Sequence, residues 1–542
     1  MINAAQSPNE VSRLGYNEAL DSWIKILGEE FVLSERSLLE TFAKSCSATE
    51  VSALAVIKPA NLEQLQSALA VARKFGIPLF PLSSGKNWGY GSRSPSQAGS
   101  VLLDLSRMNR IIEVNSDLAY AVIEPGVSQQ QLYQYLDSHN IPLMLDVTGA
   151  AASASLVGNL SERGSGLTPY ADHFAHCCGL EVLLADGRLL HTGFARFKNA
   201  RSQHVYRWGL GPYIDGLFTQ SNFGIITKIT IWLMPKPEHY AALIIPFNSD
   251  AELLAASSII RDLKLKGIIQ GAVHIANDVR VVSSITQYPF DQTGGVVPLD
   301  KQVLKTVCRK FGVSEWNLIG GLWGSSAQIS ICYKAIKKAL RGHSRPLLLR
   351  DTIISWIKRF SWVYKLFGGK GLEKKLSILN LLKGIPTNSA VRGAYWRKIT
   401  PAPAQDFDPD RDGCGLIWCS PIVPLLEEDL ENFIKITRET MLRFQLETNV
   451  TVSLIAERSA VCTVALAYDR ELPGEDQNAK NCQKELLDRY TQAGYYPYRL
   501  NSVPGYAHGL LMGENDIYVQ FCKSLKQLLD PEAVIAPGKY GI

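Results

Sequence analysis

An α+β fold is what this sequence predicts, and three observations predict it. Residues 52–85 read strand, helix, strand, and run directly into a loop rich in glycine and serine. Residues 100–140 and 179–235 add short strands and a hairpin, with Ala-Asp-Gly at the turn. From residue 241 onward, AALIIPF (241–247) and VSLIAERSAVCTVALAYD (452–469) alternate as sheet strands, and LEEDLENFIKITRETMLRFQLE (426–447) has the spacing of a capped amphipathic helix.

In chain order, the first 15 residues look frayed, and helical spacing follows over 18–27 and 34–43. Residues 53–57 form a short apolar strand. Asn61 can cap a helix whose apolar positions Leu65, Leu69, Val71 and Ala72 recur at helical spacing, Gly76 ends it, and 77–82 is the second strand. VLLDL, IIEV and YAVIEPG are strands, and Ser128 caps a helix beginning at Gln129. Residues 145–174 hold a run of small residues from Thr148 to Ser155, then Gly158, Asn159, Gly164 and Gly166, a loop able to lie flat against a planar ligand.

Composition narrows the classes. The 542 residues are 46% hydrophobic, enough for a large core, and the soft expectation of several domains merges into two for a large α/β-type enzyme. A formal charge of +5 is small for this length and gives no reason to expect nucleic acid. The ten cysteines make no CxxC pair and no zinc spacing, so no metal is expected and reduced thiols in a cytoplasm are. The first thirty residues lack the apolar centre of an export signal, and no window of about eighteen uncharged apolar residues exists to span a membrane.

The loop PLSSGKNWGYGSRSP (81–95) carries Ser83, Ser84, Gly85, Lys86, Asn87, Gly89 and Gly91 within nine positions. Glycines permit positive φ and close backbone approach, and consecutive amides can converge on an anion such as a diphosphate. A nucleotide is therefore the first expectation. An ordinary turn between strands is the alternative.

The ordered set of segments resembles the vanillyl-alcohol oxidase and p-cresol methylhydroxylase family of flavoproteins. SGKNWGYG, DLSRMNRIIEVN with EPGV, VGNLSERGSGLTPYADH, GPYIDGLFTQSNFGIITKI and the closing DPEAVIAPGKYGI carry the resemblance. It implies FAD as cofactor and a two-part FAD-binding domain of the PCMH type, residues 1–240 and 491–542, around an inserted cap, 241–490, made of an antiparallel sheet flanked by helices. Cofactor contacts are implied for Ser83, Ser84, Gly85, Lys86, Asn87, Gly89, Tyr90, Gly149, Gly158, Asn159, Glu162, Gly164, Gly224, Ile226, Arg499 and Lys539. In phenol-oxidising members two tyrosines and an arginine hold the substrate as phenolate, and Tyr90, Tyr498 and Arg499 match those positions. The activity implied is hydride removal from a benzylic carbon of a phenolic small molecule to flavin N5. The alternatives are a specialised non-phenolic metabolite as substrate, or a redox-silent relative acting as a binding protein. Residue by residue, Tyr90 and Tyr498 packing between domains, and Arg499 and Lys539 as surface charges, are the plainer readings.

Four positions depart from the family pattern. Gly149 stands where the oxidase has an aspartate near N5, Leu416 stands nearest its flavin-linking histidine, and Val461 and Cys462 fall where cap histidines lie. The flavin is therefore expected to be non-covalent, with Tyr395 as the one alternative anchor. Residues 334–375 carry twelve Lys and Arg against two acids, net +10. Within them, 353–367 places Ile353, Trp356, Ile357, Phe360, Val363 and Phe367 on one helical face. Such a helix can lie on an anionic membrane surface or receive a partner, or pack on its own domain. A homodimer is a further expectation.

Overall fold

The computed structural model describes residues 13–49, 51–350, 377, 379–503 and 516–542. A four-stranded sheet runs in the order Val32–Leu33, Val56–Ile57, Val101–Asp104, Leu79–Leu82, with the last three strands parallel. Two parallel strands need a crossover, and the helix Leu62–Phe75 supplies it. Asn61 Oδ1 accepts the Gln64 amide at 2.9 Å to start that helix, and Gly76, at φ 63°, ends it. Leu65, Leu69 and Ala72 are fully buried, as their spacing predicts, and Ala68 joins them, while Val71 is only partly buried. The expected strand over 53–57 contracts to Val56–Ile57 because Leu54 donates to Ser100 O outside the ladder. The first helix begins at Arg13, and the second is Arg36–Phe42.

The chain's end joins this sheet. Leu79 donates to Val534 O at 2.7 Å and Ala536 donates to Leu79 O at 2.8 Å, so the closing segment extends the edge beside Leu79–Leu82. Lys526, on the helix Ile517–Leu529, is buried and donates to Asp530 Oδ2 (2.6 Å), Asn222 O (2.8 Å) and Ile535 O (2.7 Å). Asn222 Nδ2 in turn donates to Ala536 O at 3.0 Å. The tail is thereby bolted to the turn ahead of the strand Ile225–Trp232. That strand lies central in a five-stranded antiparallel sheet ordered Ile111–Asn115, Tyr120–Ile123, Ile225–Trp232, Cys177–Leu183, Leu189–His191.

The third large element is an antiparallel eight-stranded sheet. Its order is Leu347–Arg350, His239–Phe247, Trp316–Gly324, Val273–Asn277, Val450–Leu454, Ser459–Asp469, Cys414–Cys419, with Ile422–Pro424 also paired to Ser459–Asp469. Successive strand residues face opposite sides. Leu243, Ile245, Val273, Ile275, Ile417, Val452 and Val464 face one way, into a core that takes in residues of the helices Asp250–Leu265, Ser326–Ala339, Glu427–Arg443 and Glu475–Gln492. His274, Ala276, Trp418, Thr451, Ser453 and Thr463 face the other way, into a cavity.

Two local expectations change. Residues 452–469 contribute to two strands, parted by a turn after Leu454. The helix Glu427–Arg443 has no side-chain cap, because Leu426 occupies the cap position; Glu427, Glu428 and Asp429 complement its N-terminal dipole instead. The helical face over 353–367 and most of the basic window around it lie outside the described residues. All ten cysteines are free, nine of them buried. Among the described residues no helix is long and apolar enough to cross a membrane.

Lys526→Met leaves the Asp530 carboxylate buried without its cation, held only by the Val534 and Ile535 amides. The variant should lose on the order of 3–5 kcal/mol in a thermal or urea melt. Adding Asp530→Asn should recover part of that loss.

Candidate active site

Between the eight-stranded sheet and the two smaller ones lies a cavity of about 540 Å³. Three sequence-distant stretches make its first wall: the loop after Leu79–Leu82, the small-residue segment around 148–166, and the closing residues 535–540. In the loop, Gly85 and Gly89 have φ of 64° and 77°. Among the described residues no acceptor takes the backbone amides of Ser84, Gly85, Lys86 or Asn87. Consecutive unclaimed amides at a positive-φ glycine form an anion-binding concavity. Lys86 Nζ, directed to Ser153 Oγ, adds a cation.

Packing explains the small residues opposite. Ser155 Oγ accepts the Gly158 amide at 3.0 Å, opening the short helix Leu156–Ser161, and donates to Pro125 O at 2.6 Å. A Cβ on Gly158 would stand 2.3 Å from Ser83 Oγ, and one on Gly164 would stand 2.4 Å from the Asn159 amide group. Asn159 Oδ1 pairs with His173 Nδ1, and His173 Nε2 pairs with Asp146 Oδ2, both at 2.6 Å. Burial pushes the Asp146 carboxyl up, but its bonds to His173 and Thr168 outweigh that and hold it low.

Charge concentrates at Glu162. Its carboxylate is buried and receives Lys539 Nζ at 2.8 Å and Tyr540 Oη at 2.7 Å, with Arg499 Nε at 3.6 Å. Burial raises its pKa, and the two cations more than reverse this. Arg499 also donates to Asn87 Oδ1 at 2.5 Å and lies 4.3 Å over the Tyr90 ring. Burial opposes its charge, yet Glu162 and the surrounding tyrosines keep it protonated. Arg499 Nε is a buried donor without a hydrogen bond among the described residues. The cluster sets two cations against one carboxylate, leaving one positive charge in excess.

Tyr90 Oη and Ser420 Oγ are 2.7 Å apart, and burial, then Tyr498, push the Tyr90 hydroxyl well above the ordinary range. Tyr498 and Arg499 both line the cavity. So do the other expected cofactor residues, Ser83, Gly149, Gly158, Asn159, Gly164, Gly224 and Ile226 among them. Gly89 is not in the wall. Its place is set by the Trp418 indole, which a Cβ there would meet at 2.4 Å. Gly149 presents no side chain, and the nearest neighbour to a Cβ there is Ala390, at 3.4 Å. Leu416 lines the wall, whereas Tyr395 does not; its hydroxyl donates to Asp412 Oδ2 at 2.6 Å and is held far above the usual tyrosine range by burial and that carboxylate. Cys462 packs in the sheet's core, and its neighbour Thr463 faces the cavity.

Sequence reasoning expected a cap sheet and named Leu416 but missed the other residues of the second wall. His274, Thr451, Ser453, Thr463 and Trp418 come from the sheet, and Arg280 and Ser284 from the helix Asp278–Ile285. The signal was present in VHIAN (273–277), whose Val273 and Ile275 are apolar and whose His274 and Ala276 face outward from that core. His274 bonds Ser453 Oγ through Nδ1 (2.8 Å) and Gly166 O through Nε2 (3.2 Å), and burial lowers its pKa, so it is neutral.

Comparison with known proteins agrees with this architecture. A family model described as "FAD binding domain" matches residues 53–193. The chain is 39% identical over 532 residues to "1'-carboxy-chondrochloren decarboxylase" of Chondromyces crocatus, covering 96% of each chain. It is 28% identical to the "4-cresol dehydrogenase [hydroxylating] flavoprotein subunit" of Pseudomonas putida, over 100% of this chain and 98% of the other. Two solved structures, p-cresol methylhydroxylase with substrate bound and the 4-ethylphenol oxidase of Gulosibacter chungangensis, each superpose with a TM-score of 0.88 at 28% identity, covering 99% of this chain and 98% of the other. The protein is thus an FAD-dependent oxidoreductase. It belongs to the vanillyl-alcohol oxidase and p-cresol methylhydroxylase family of flavoproteins. The residues present fit the cofactor: the amides after Ser83 lack acceptors, and the excess positive charge at Arg499 and Lys539 suits an electron-accepting ring.

Gly85→Val combines a strained φ with a Cβ 2.6 Å from Arg93 Nε, so the variant should purify folded and colourless, by circular dichroism and the ratio of visible to ultraviolet absorbance. With Leu416 in the wall and Tyr395 turned to Asp412, acid precipitation of the native protein should leave the flavin in the supernatant. Colour in the pellet would show a covalent link.

Proposed function

We propose that the protein oxidises the benzylic carbon of a small molecule carrying a 4-substituted phenol. In this reading residues 1–240 and 491–542 hold the cofactor and 241–490 form the cap over the substrate. The observation that carries it is the grouping of Tyr90, Tyr498 and Arg499 on one cavity wall, beside a cluster with one positive charge in excess. Bound FAD supplies the hydride acceptor.

The chain's own residues act on the phenol oxygen. A net positive cluster favours the ionised phenol, because the charged form gains the interaction. Tyr498 Oη has no hydrogen-bond acceptor among the described residues and is available to donate to that oxygen. When Ser420 donates to Tyr90, the proton on Tyr90 Oη is available as a second donor. Electron density released by ionisation moves to the para position and eases hydride loss from the benzylic carbon, leaving a quinone methide. With Gly149 in the wall, no carboxylate acts from that position. Substrate activation therefore rests on the phenol end.

A second reading is favoured by the 39% identity to a relative named as a decarboxylase. A quinone methide is an electron sink for a carboxylate on the carbon next to the benzylic one. The C–CO₂ bond breaks, its electron pair forms a C=C bond, and the phenolate is restored. Incubation with 3-(4-hydroxyphenyl)propionate separates the readings: 4-vinylphenol with CO₂ marks decarboxylation, and a side chain that keeps its carboxyl marks oxidation alone.

Arg499→Met removes one cation of the cluster and leaves Glu162 with Lys539. Bleaching of the flavin by 4-ethylphenol in anaerobic rapid mixing should slow by about thirty- to thousandfold, equivalent to 2–4 kcal/mol. Tyr498→Phe and Tyr90→Phe each remove a neutral donor and should cost less. Unchanged bleaching in Arg499→Met would refute the phenolate role.

A further inference from the structure

Arg280 is a partly buried cation, lining the cavity, that the reaction on the phenol end does not use. It sits in the first turn of the helix Asp278–Ile285, where Asn277 Oδ1 accepts its backbone amide at 3.1 Å. Val279, Val282 and Ile285 turn into the protein, and Arg280, Val281 and Ser284 turn to the cavity. Its guanidinium lies 5.3 Å from the Trp418 ring, and among the described residues it has neither an ion pair nor a hydrogen-bond acceptor. The nearby polar groups are spent: His274 is bonded to Ser453 and Gly166, and Ser284 Oγ donates to Val281 O at 2.7 Å. Burial, with no compensating anion, pulls Arg280 down to about 10, still protonated at neutral pH.

A cation drawn partly out of water and facing a cavity is costly unless something pairs with it. Among the described residues Lys526 is paired with Asp530, Lys398 with Asp469, and Arg499 and Lys539 with Glu162, while buried Lys264 donates to Gly271 O at 2.7 Å; Arg280 has neither kind of partner. We infer that the missing partner of Arg280 is a carboxylate on the substrate, on the arm remote from the phenol oxygen. One planar guanidinium with two parallel N–H donors matches a carboxylate. A phosphate, with nearly twice the charge, would want a second cation, and His274 is neutral. Trp418 joins the two regions: its ring lies 5.3 Å from the Arg280 guanidinium, while its backbone amide donates to Gly89 O, next to Tyr90. The substrate class is then a 4-hydroxyphenyl compound with a carboxylated side chain, and Arg280 is its specificity-determining residue. This rests on the phenol reading above. Pairing stabilises the carboxylate as bound, so Arg280 serves recognition; were that carboxyl lost as CO₂, charge would leave Arg280 for the ring oxygen.

Binding of two unreactive isosteres tests it. 4-Hydroxyphenoxyacetate carries an ether oxygen where the benzylic carbon would be and so cannot lose a hydride, and 4-hydroxyphenoxyacetamide is its neutral twin. Calorimetric titration of the flavin-loaded protein should give a tighter Kd for the acid than for the amide, by about thirtyfold or more. Arg280→Met should erase the difference with flavin content unchanged, and Arg280→Lys should keep part of it. Equal affinities for acid and amide in the native protein would overturn the inference while leaving the phenol reading intact. Loss of flavin from Arg280→Met would overturn it by assigning the residue to the cofactor. Absence of binding by either compound would overturn both readings together.

Discussion

One buried carboxylate organises the site. Glu162 stands at the end of a short helix, and the cations that make its burial tolerable come from Lys539, three residues from the chain's end, and from Arg499. An ionised carboxyl out of water costs several kcal/mol unless paired, so these three stretches hold together or the site fails. The tail that brings Lys539 there is itself fastened by Lys526, which donates hydrogen bonds to Asp530 Oδ2, Asn222 O and Ile535 O. The closing residues are thus part of the site's foundation. Their excess of one positive charge lies beside Tyr90 and Tyr498, and the proposed phenol chemistry rests on it.

The second constraint is the two-sidedness of the eight-stranded sheet. A strand that buries Val273 and Ile275 in a core must turn His274 and Ala276 the other way, and the same alternation runs through Thr451, Ser453, Thr463, Leu416 and Trp418. The wall so formed is polar in places but carries no acid, and Gly149 opposite adds none. In the proposed reading, catalytic assistance comes from charge at the phenol end. The cavity holds a further positive pole at Arg280, set on the helix that follows the strand Val273–Asn277. A substrate lying between the two poles would be oriented by its ends, with Trp418 and Leu416 among the apolar surface between them.

Local signals in the sequence determined a good deal. Asn61 and Gly76 bound a helix that forms as read, because a cap and a left-handed stop act within a few residues of themselves. The glycine loop at 83–91 forms an anion cradle because positive φ at Gly85 is a property of one residue, and the ordered motifs pointed to the flavoprotein family and to Tyr90, Tyr498 and Arg499. Tertiary structure alone decided the rest. Glu162 read as one more cofactor residue until folding set it between Lys539 and Arg499. Gly89 read as a phosphate-loop glycine until the Trp418 indole, more than three hundred residues away, occupied the space of its missing side chain. Arg280 carried no signal at all, since an arginine among valines is an ordinary helix residue in sequence. Whether a charge has a partner is settled only when the chain brings every other charge to its place.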